Sequence, residues 1–193
     1  MIKRADILSC LDPITRSHSN HSSELRDNPR MASVLLIIHY NYSIPHILFT
    51  KRSCSLLSHA GQICFPGGKF VKEDKALYFT ALRETKEEVG LDFMEKDICG
   101  SLEVVRTLTS NYIITPYVTV QDKIPKPKIL IDEVQRILDV PLLDVLNTVT
   151  VDKRPGYLSS EDTFMFRYDS EVIWGATARI LKQLHDRLFR KYC

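Results

Sequence analysis

Glu84, Glu87 and Glu88 stand at relative positions i, i+3 and i+4. On a helix that spacing places three carboxylates on one face, about one turn deep. Like charges so arranged repel by roughly 0.2–0.5 kcal/mol per pair in an isolated helix. A cation held between them removes the repulsion. Hard oxygen ligands select Mg²⁺ or Mn²⁺, which commonly bridge a few carboxylates to substrate phosphates. The chemistry implied is a metal-dependent reaction at phosphate, and its plain counterpart is a solvated, glutamate-rich helix face.

These residues need a helix, and the flanking sequence supplies one. Asp74 is a plausible N-cap, and Gly90 supplies a left-handed stop. Leu77, Ala81, Leu82, Thr85 and Val89 form an apolar stripe that leaves the glutamates on another side. Upstream, residues 3–11 read as a short helix ended by Asp12-Pro13, and Ser17–Pro29 as an exposed connection. Ala32–His39 and His46–Lys51 are β-rich runs joined as a hairpin through Asn41–Pro45, and Gln62–Phe65 is a third short strand. Strands are expected at about Cys99–Leu108 and Ile113–Gln121. After a Pro/Lys loop at 124–128 come Asp132–Asp139, a Val140-Pro141-Leu142 turn and a short helix, Leu143–Leu146. Thr163–Tyr168 and Val172–Trp174 read as strands, and Gly175–Tyr192 as a final amphipathic helix. Strands before and after a central helix, with another helix at the end, predict an α/β sandwich of the α+β type.

The 193 residues are long enough for one domain with a substantial core. A 44% hydrophobic and 26% charged composition is that of an ordinary globular protein, which excludes a disordered or fibrous class. A net charge of +2, without a basic stripe, gives no reason to expect nucleic acid as a partner. Cys10, Cys54, Cys64, Cys99 and Cys193 are scattered with no C-x-x-C pair, so a reducing compartment is expected. The longest apolar stretch, Val34–Ile38, is too short to span a bilayer, and no membrane association is expected. Acids at 6, 12, 24 and 27 and the lack of an apolar core argue against a secretory signal. A cytoplasmic setting is expected, with mitochondrial or peroxisomal location as the alternative in a eukaryote.

Arg83-Glu84-Thr85-Lys86-Glu87-Glu88-Val89-Gly90-Leu91 resembles the second half of the Nudix box, G-x5-E-x7-R-E-U-x-E-E-x-G-U with U apolar. The first half departs from it. Gly68 lies fifteen residues before Arg83, one more than the motif, and Lys75 fills the glutamate slot with Asp74 as the nearest acid. The extra residue, with Pro66-Gly67-Gly68-Lys69 ahead and Thr80-Ala81-Leu82 behind, resembles the coenzyme A diphosphatase branch of that superfamily. So does the upstream run from Leu48-x-Thr50-x-Arg52-Ser53 through Leu56, His59-x-Gly61-Gln62-Ile63 and Phe65-Pro66-Gly67-Gly68. Downstream, Glu133-Val134, Asp139-Val140-Pro141-Leu142 and Trp174-Gly175-x-Thr177-Ala178 sit where that branch has similar words. Val71 is a mismatch, standing where the branch usually has Asp. The resemblance covers roughly residues 32–185, so residues 1–30 are expected to be an N-terminal extension and 31–193 a single Nudix domain with a mixed sheet between helices.

The resemblance implies a hydrolase of nucleoside diphosphates linked to another moiety, here the diphosphate of coenzyme A or an acyl-CoA. Glu84, Glu87 and Glu88, with a carbonyl beside Gly68, are its implied Mg²⁺ or Mn²⁺ ligands. Arg83 is implied to orient a box carboxylate rather than to touch phosphate. Glu87 and Glu133 are the candidate general bases, the latter also readable as a plain surface carboxylate. Arg52 and Lys69 are candidates for the substrate phosphates, with Lys51 and Lys72 behind them. His59 reads as a turn cap or a substrate contact, Cys64 as core filler and Trp174 as packing. NADH, ADP-ribose or a nucleoside triphosphate is the alternative substrate, and a Nudix-fold binding module the alternative class. A monomer or homodimer is expected.

Overall fold

Alternation along the first long strand, β1 (Arg30–Asn41), fills two cores at once. Leu35 and Ile37 point to one face and Leu36 and Ile38 to the other, and all four are fully buried. A strand apolar on both faces belongs inside a sheet covered on both sides. The computed structural model describes residues 2–14, 29–56, 58–107, 110–154 and 163–190 and bears this out.

After β1 the chain turns through Tyr42 and Ser43, both with positive φ (47° and 67°), into β2 (Ile44–Arg52). Paired left-handed residues are the signature of a tight two-residue hairpin. The predicted hairpin is therefore present, with both strands longer than the β-rich runs alone. β3 (Ile63–Cys64) and β4 (Gly67–Lys69) follow, then a 3₁₀ turn at Lys72–Asp74 and helix α2 (Leu77–Val89). The helix before β1 is α1 (Arg4–Leu8).

The expected strand over Cys99–Leu108 is broken into β5 (Ile98–Ser101) and β6 (Val105–Arg106), with Leu102 between them still donating to the Pro116 carbonyl at 3.0 Å, and Leu108 lies outside the described residues. Next come β7 (Tyr112–Gln121), β8 (Val134–Pro141) and α3 (Leu142–Leu146). The chain closes with β9 (Thr150–Val151), β10 (Phe164–Tyr168), β11 (Glu171–Ile173) and α4 (Gly175–Phe189). The connection expected at Ser17–Pro29 falls almost wholly outside the described residues.

The main sheet has eight strands in the path β3-β2-β1-β7-β5, with β4 beside β1, β6 beside β7 and β8 beside β2. β1 and β7 run parallel and the other pairings are antiparallel, so the sheet is mixed. On one face α2 packs Ala81, Leu82 and Val89 against Leu35, Ile37 and Leu48. On the other, α3 and α4 bury Leu142, Leu146, Leu181 and Leu184 against Leu36, Ile47 and Phe49. Each such aliphatic side chain contributes about 1.5–3 kcal/mol on burial. The segment expected to be an extension also joins this second core: Ile7 is fully buried in it. Arg187 of α4 donates to the Cys10 carbonyl at 3.0 Å and to Asp12 at 2.9 Å. Among the described residues no helix is long and apolar enough to cross a membrane.

Candidate active site

α2 begins without the expected cap. Its N-cap residue is Ala76, in extended backbone, with no side-chain hydrogen bond. Asp74 lies one turn earlier, where the 3₁₀ turn and the left-handed Lys75 (φ 58°) rotate its carboxylate inward. There it accepts from Thr80 Oγ1 at 2.8 Å and takes both sides of the Arg83 guanidinium, Nε at 2.8 Å and Nη2 at 2.9 Å. This two-pronged pair fixes the plane of the guanidinium as a single contact cannot. The hydrogen bonds from Arg83, working against burial, hold the Asp74 carboxyl below the usual carboxylate range.

The clamp leaves Arg83 Nη1 aimed along the helix. It donates to Glu84 Oε1 at 2.9 Å and to Glu87 Oε2 at 3.0 Å. One guanidinium thus spans Asp74, Glu84 and Glu87, and the Arg83 group is correspondingly harder to deprotonate than usual.

Glu88 differs. It is buried, the Gly67 backbone amide faces its carboxyl, and its Oε2 has no hydrogen-bond partner. Burial first, then the charge of Glu84, pushes this carboxyl up to about 8. Burial also raises Glu84, against the opposing pull of Arg83. A Cβ added to Gly68 would overlap the Glu84 carboxylate, so the glycine leaves that side chain its room beside β4. Ser33 on β1, the register partner of Gly68, donates to the Leu77 carbonyl at 2.6 Å and ties the helix start to the sheet.

At the other end, Gly90 is left-handed (φ 69°) and its N–H reaches the Lys86 carbonyl, giving the predicted stop. The Pro/Lys loop caps the exposed carbonyls: Lys128 donates to Val89 at 2.9 Å and Leu130 to Glu88 at 3.2 Å. That anchoring leads the chain to Glu133, whose carbonyl accepts from the Ser53 amide at 2.8 Å. The Glu133 carboxylate lies 3.5 Å from Arg52 Nη2, and the charges of both residues act on Glu88. Glu84, Glu87, Glu88, Gly68, Arg83, Arg52 and Glu133 therefore converge.

Lys69 is exposed at the end of β4, joined to the group through its carbonyl 3.5 Å from Arg83. Lys51 is turned to other work, bonded to Glu171 of β11 at 2.7 Å. His59 closes a turn on Gln62 at 2.9 Å, Cys64 lies against Thr50 with burial pushing its thiol up to about 11, and Arg154 covers Trp174. Asp74 is the participant whose part the sequence does not reveal. The available signal is its place six residues after Gly68 and nine before Arg83.

The donor set suits a divalent cation on three observations. The ligand atoms are all oxygens, one buried carboxylate oxygen has no partner, and a glycine keeps the space beside Glu84 open. Glu84, Glu87 and Glu88 are the residues that would hold it.

The family model described as "NUDIX domain" matches residues 29–155. A protein from Photorhabdus laumondii called "Uncharacterized Nudix hydrolase NudL" is 36% identical over 172 residues, spanning 85% of this chain and 88% of its own length. A solved MutT/nudix family protein from Enterococcus faecalis superposes with a TM-score of 0.58 at 13% identity, covering 89% of this chain and 65% of that one. The NUDIX domain of Shewanella oneidensis NrtR, solved with ADP ribose, gives a TM-score of 0.51 at 20% identity over 76% of this chain and 88% of that one. At those identities the two structures speak for the fold.

Proposed function

We propose, on the premise that the chain belongs to the NUDIX domain family, that it hydrolyses the diphosphate of coenzyme A or an acyl-CoA. The family and the Nudix hydrolase relative make it a pyrophosphatase-type hydrolase of a nucleoside diphosphate derivative. The narrower substrate rests on the coenzyme A diphosphatase resemblance of residues 48–91. The products are 4′-phosphopantetheine, or its acyl form, and adenosine 3′,5′-bisphosphate.

One observation carries the reading. The carboxylate face of α2 is braced by Arg83, given room beside β4 by Gly68 and left with an unpartnered buried oxygen on Glu88. A solvated helix face needs none of these. Mg²⁺ or Mn²⁺, when bound, supplies Lewis-acid neutralisation of the phosphoryl oxygens. Arg83 holds Glu84 and Glu87 in fixed orientation, so the carboxylates need not reorganise when substrate arrives. Glu87, exposed on α2, and Glu133, beside Arg52 just before β8, are assigned as the two carboxylates that could take a proton from an attacking water. Arg52, beside Glu133, is assigned to substrate phosphate, and so is Lys69, whose carbonyl lies beside Arg83. A reducing cytoplasmic setting belongs to the same proposal, supported by the free thiols of Cys54, Cys64 and Cys99.

The test is a rate comparison with Mg²⁺ on coenzyme A, an acyl-CoA, NADH, ADP-ribose and a nucleoside triphosphate. The highest kcat/KM is expected on coenzyme A or its thioester. A higher value on any of the others overturns the substrate, and no hydrolysis of any compound overturns the enzyme.

A further inference from the structure

At the end of the sheet away from the carboxylate helix, the apolar pattern fails on three strands at the same level. On the α2 face, β1 runs Leu35, Ile37 and then His39; β2 runs Leu48 and then His46; β8 runs Ile137 and then Asp139. His39 and His46 are direct register partners, and Asp139 pairs with Leu48, two residues along β2 from His46. Each position would otherwise extend the row under α2.

The three side chains converge. His39 Nε2 lies 2.9 Å and His46 Nδ1 3.1 Å from the same oxygen, Asp139 Oδ1. Three potential ligand atoms, one per residue, all lie within 4.8 Å of one another. His39 is buried and His46 nearly so, while the Asp139 side chain remains 42% exposed. His39 and Asp139 also line a surface cavity of about 930 Å³ shared with Arg4, Tyr40, Asp122 and Lys123. Two imidazole nitrogens and one carboxylate oxygen, with one side open to solvent, match a three-ligand site with a vacant fourth position. Bonds of about 2.1 Å in a tetrahedron require ligand atoms roughly 3.4 Å apart, so each histidine nitrogen has to move off Asp139 Oδ1 by only a few tenths of an ångström, with the two nitrogens themselves within 4.8 Å of each other.

We propose that His39, His46 and Asp139 form a second metal site, for a borderline transition-metal ion such as Zn²⁺, that ties the β1–β2 hairpin to β8. Mixed imidazole and carboxylate donors favour Zn²⁺, Co²⁺ or Ni²⁺ over the hard ions suited to the glutamate face. The two sites are also remote: Arg52 and His46 are six residues apart on β2, roughly 20 Å along a strand. Three strands of one sheet hold the ligands, so binding stabilises the folded chain by mass action.

The test uses full-length protein carrying Glu84→Gln and Glu88→Gln, which weakens metal binding at the box without touching the strands. Zn²⁺ alone is titrated by calorimetry, metal content is counted after gel filtration, and Co²⁺ is added as a spectroscopic probe. One equivalent of Zn²⁺ is expected, with a rise in Tm and Co²⁺ visible bands free of thiolate charge transfer. Adding His46→Ala, or separately the near-isosteric Asp139→Asn, is expected to weaken binding by about tenfold or more. Both variants should keep the circular dichroism of the parent. Unchanged Zn²⁺ affinity in folded His46→Ala and Asp139→Asn proteins overturns the site, as does failure of the parent to bind. A thiolate band overturns it too, by assigning the metal to cysteine.

Discussion

Glu88 and Asp139 are both carboxylates on the α2 side of the same sheet, and their surroundings drive them in opposite directions. Glu88 is buried among other carboxylates, and burial with the Glu84 charge pushes it up to about 8. Burial acts on Asp139 as well, but hydrogen bonds and charge from His39 and His46 outweigh it and hold that carboxyl below its ordinary range. Without a cation, then, the glutamate face is electrostatically frustrated, whereas the strand cluster is already satisfied by its own hydrogen bonds. A frustrated set of oxygens is what a hard divalent cation relieves. The satisfied set gives up hydrogen bonds when it binds metal, so its occupancy is selective for ions that prefer nitrogen.

The largest test of this contrast is removal of the frustrated charge. Glu88→Gln and Glu87→Gln are each expected to lower kcat on the preferred substrate by about 10²–10³-fold with the fold intact. Asp139→Asn should leave kcat within about twofold. Steady-state kinetics with matched circular dichroism measures all three. Near wild-type rates in both glutamate variants remove the assigned centre.

The second test attacks the brace. Asp74→Asn takes the charge partner from Arg83 in a pair that is buried on the Asp74 side, a loss of about 2–3 kcal/mol in stability. Glu84 and Glu87 lose their fixed orientation at the same time, so turnover falls with stability. An unchanged urea midpoint contradicts the clamp.

The third concerns pH in metal-free protein. Glu88 titrates at about 8 when folded and at about 4.3 when unfolded. Between those values the folded state holds the extra proton, so this group's contribution is full below about pH 4 and is lost as pH rises to about 8, on the order of 5 kcal/mol. Asp74, lowered in the fold, has the opposite sign, and its contribution is lost only as pH falls below the ordinary carboxylate value. Chemical denaturation of wild type and Glu88→Gln across pH 5–8 separates them, because the decline should flatten in the variant.

The smallest effect is expected at the far end. Ser43 takes a left-handed conformation in the turn that carries His39 and His46 into register. Ser43→Gly is expected to stabilise the protein by about 0.5–1 kcal/mol through relief of that strain. Destabilisation would mean that the Ser43 side chain contributes more than the turn costs.

Much of the glutamate site is legible because it is local. A helix converts i, i+3 and i+4 into one face, and Gly90 ends that helix where the sequence says. Asp74 is less legible: its spacing fits an N-cap, and only the left-handed Lys75 turns it toward Arg83. The break between β5 and β6 is hidden because Leu102–Leu108 carries no glycine or proline to mark it, while no register pair to β7 falls between Ser101 and Val105. Lys51 looks as available for phosphate as Arg52 until Glu171, 120 residues away, is found bonded to it. The histidine cluster is illegible for the same reason, since His39, His46 and Asp139 meet only through the register of three strands.

The most direct measurement is mass spectrometry of the products formed from coenzyme A and Mg²⁺ in H₂¹⁸O. The account predicts 4′-phosphopantetheine and adenosine 3′,5′-bisphosphate, with one ¹⁸O in a single one of the two products and product formation lowered about 10²–10³-fold in Glu88→Gln. Intact coenzyme A after prolonged incubation with folded, metal-loaded protein would contradict the substrate assignment, and product formation undiminished in Glu88→Gln would contradict the carboxylate centre.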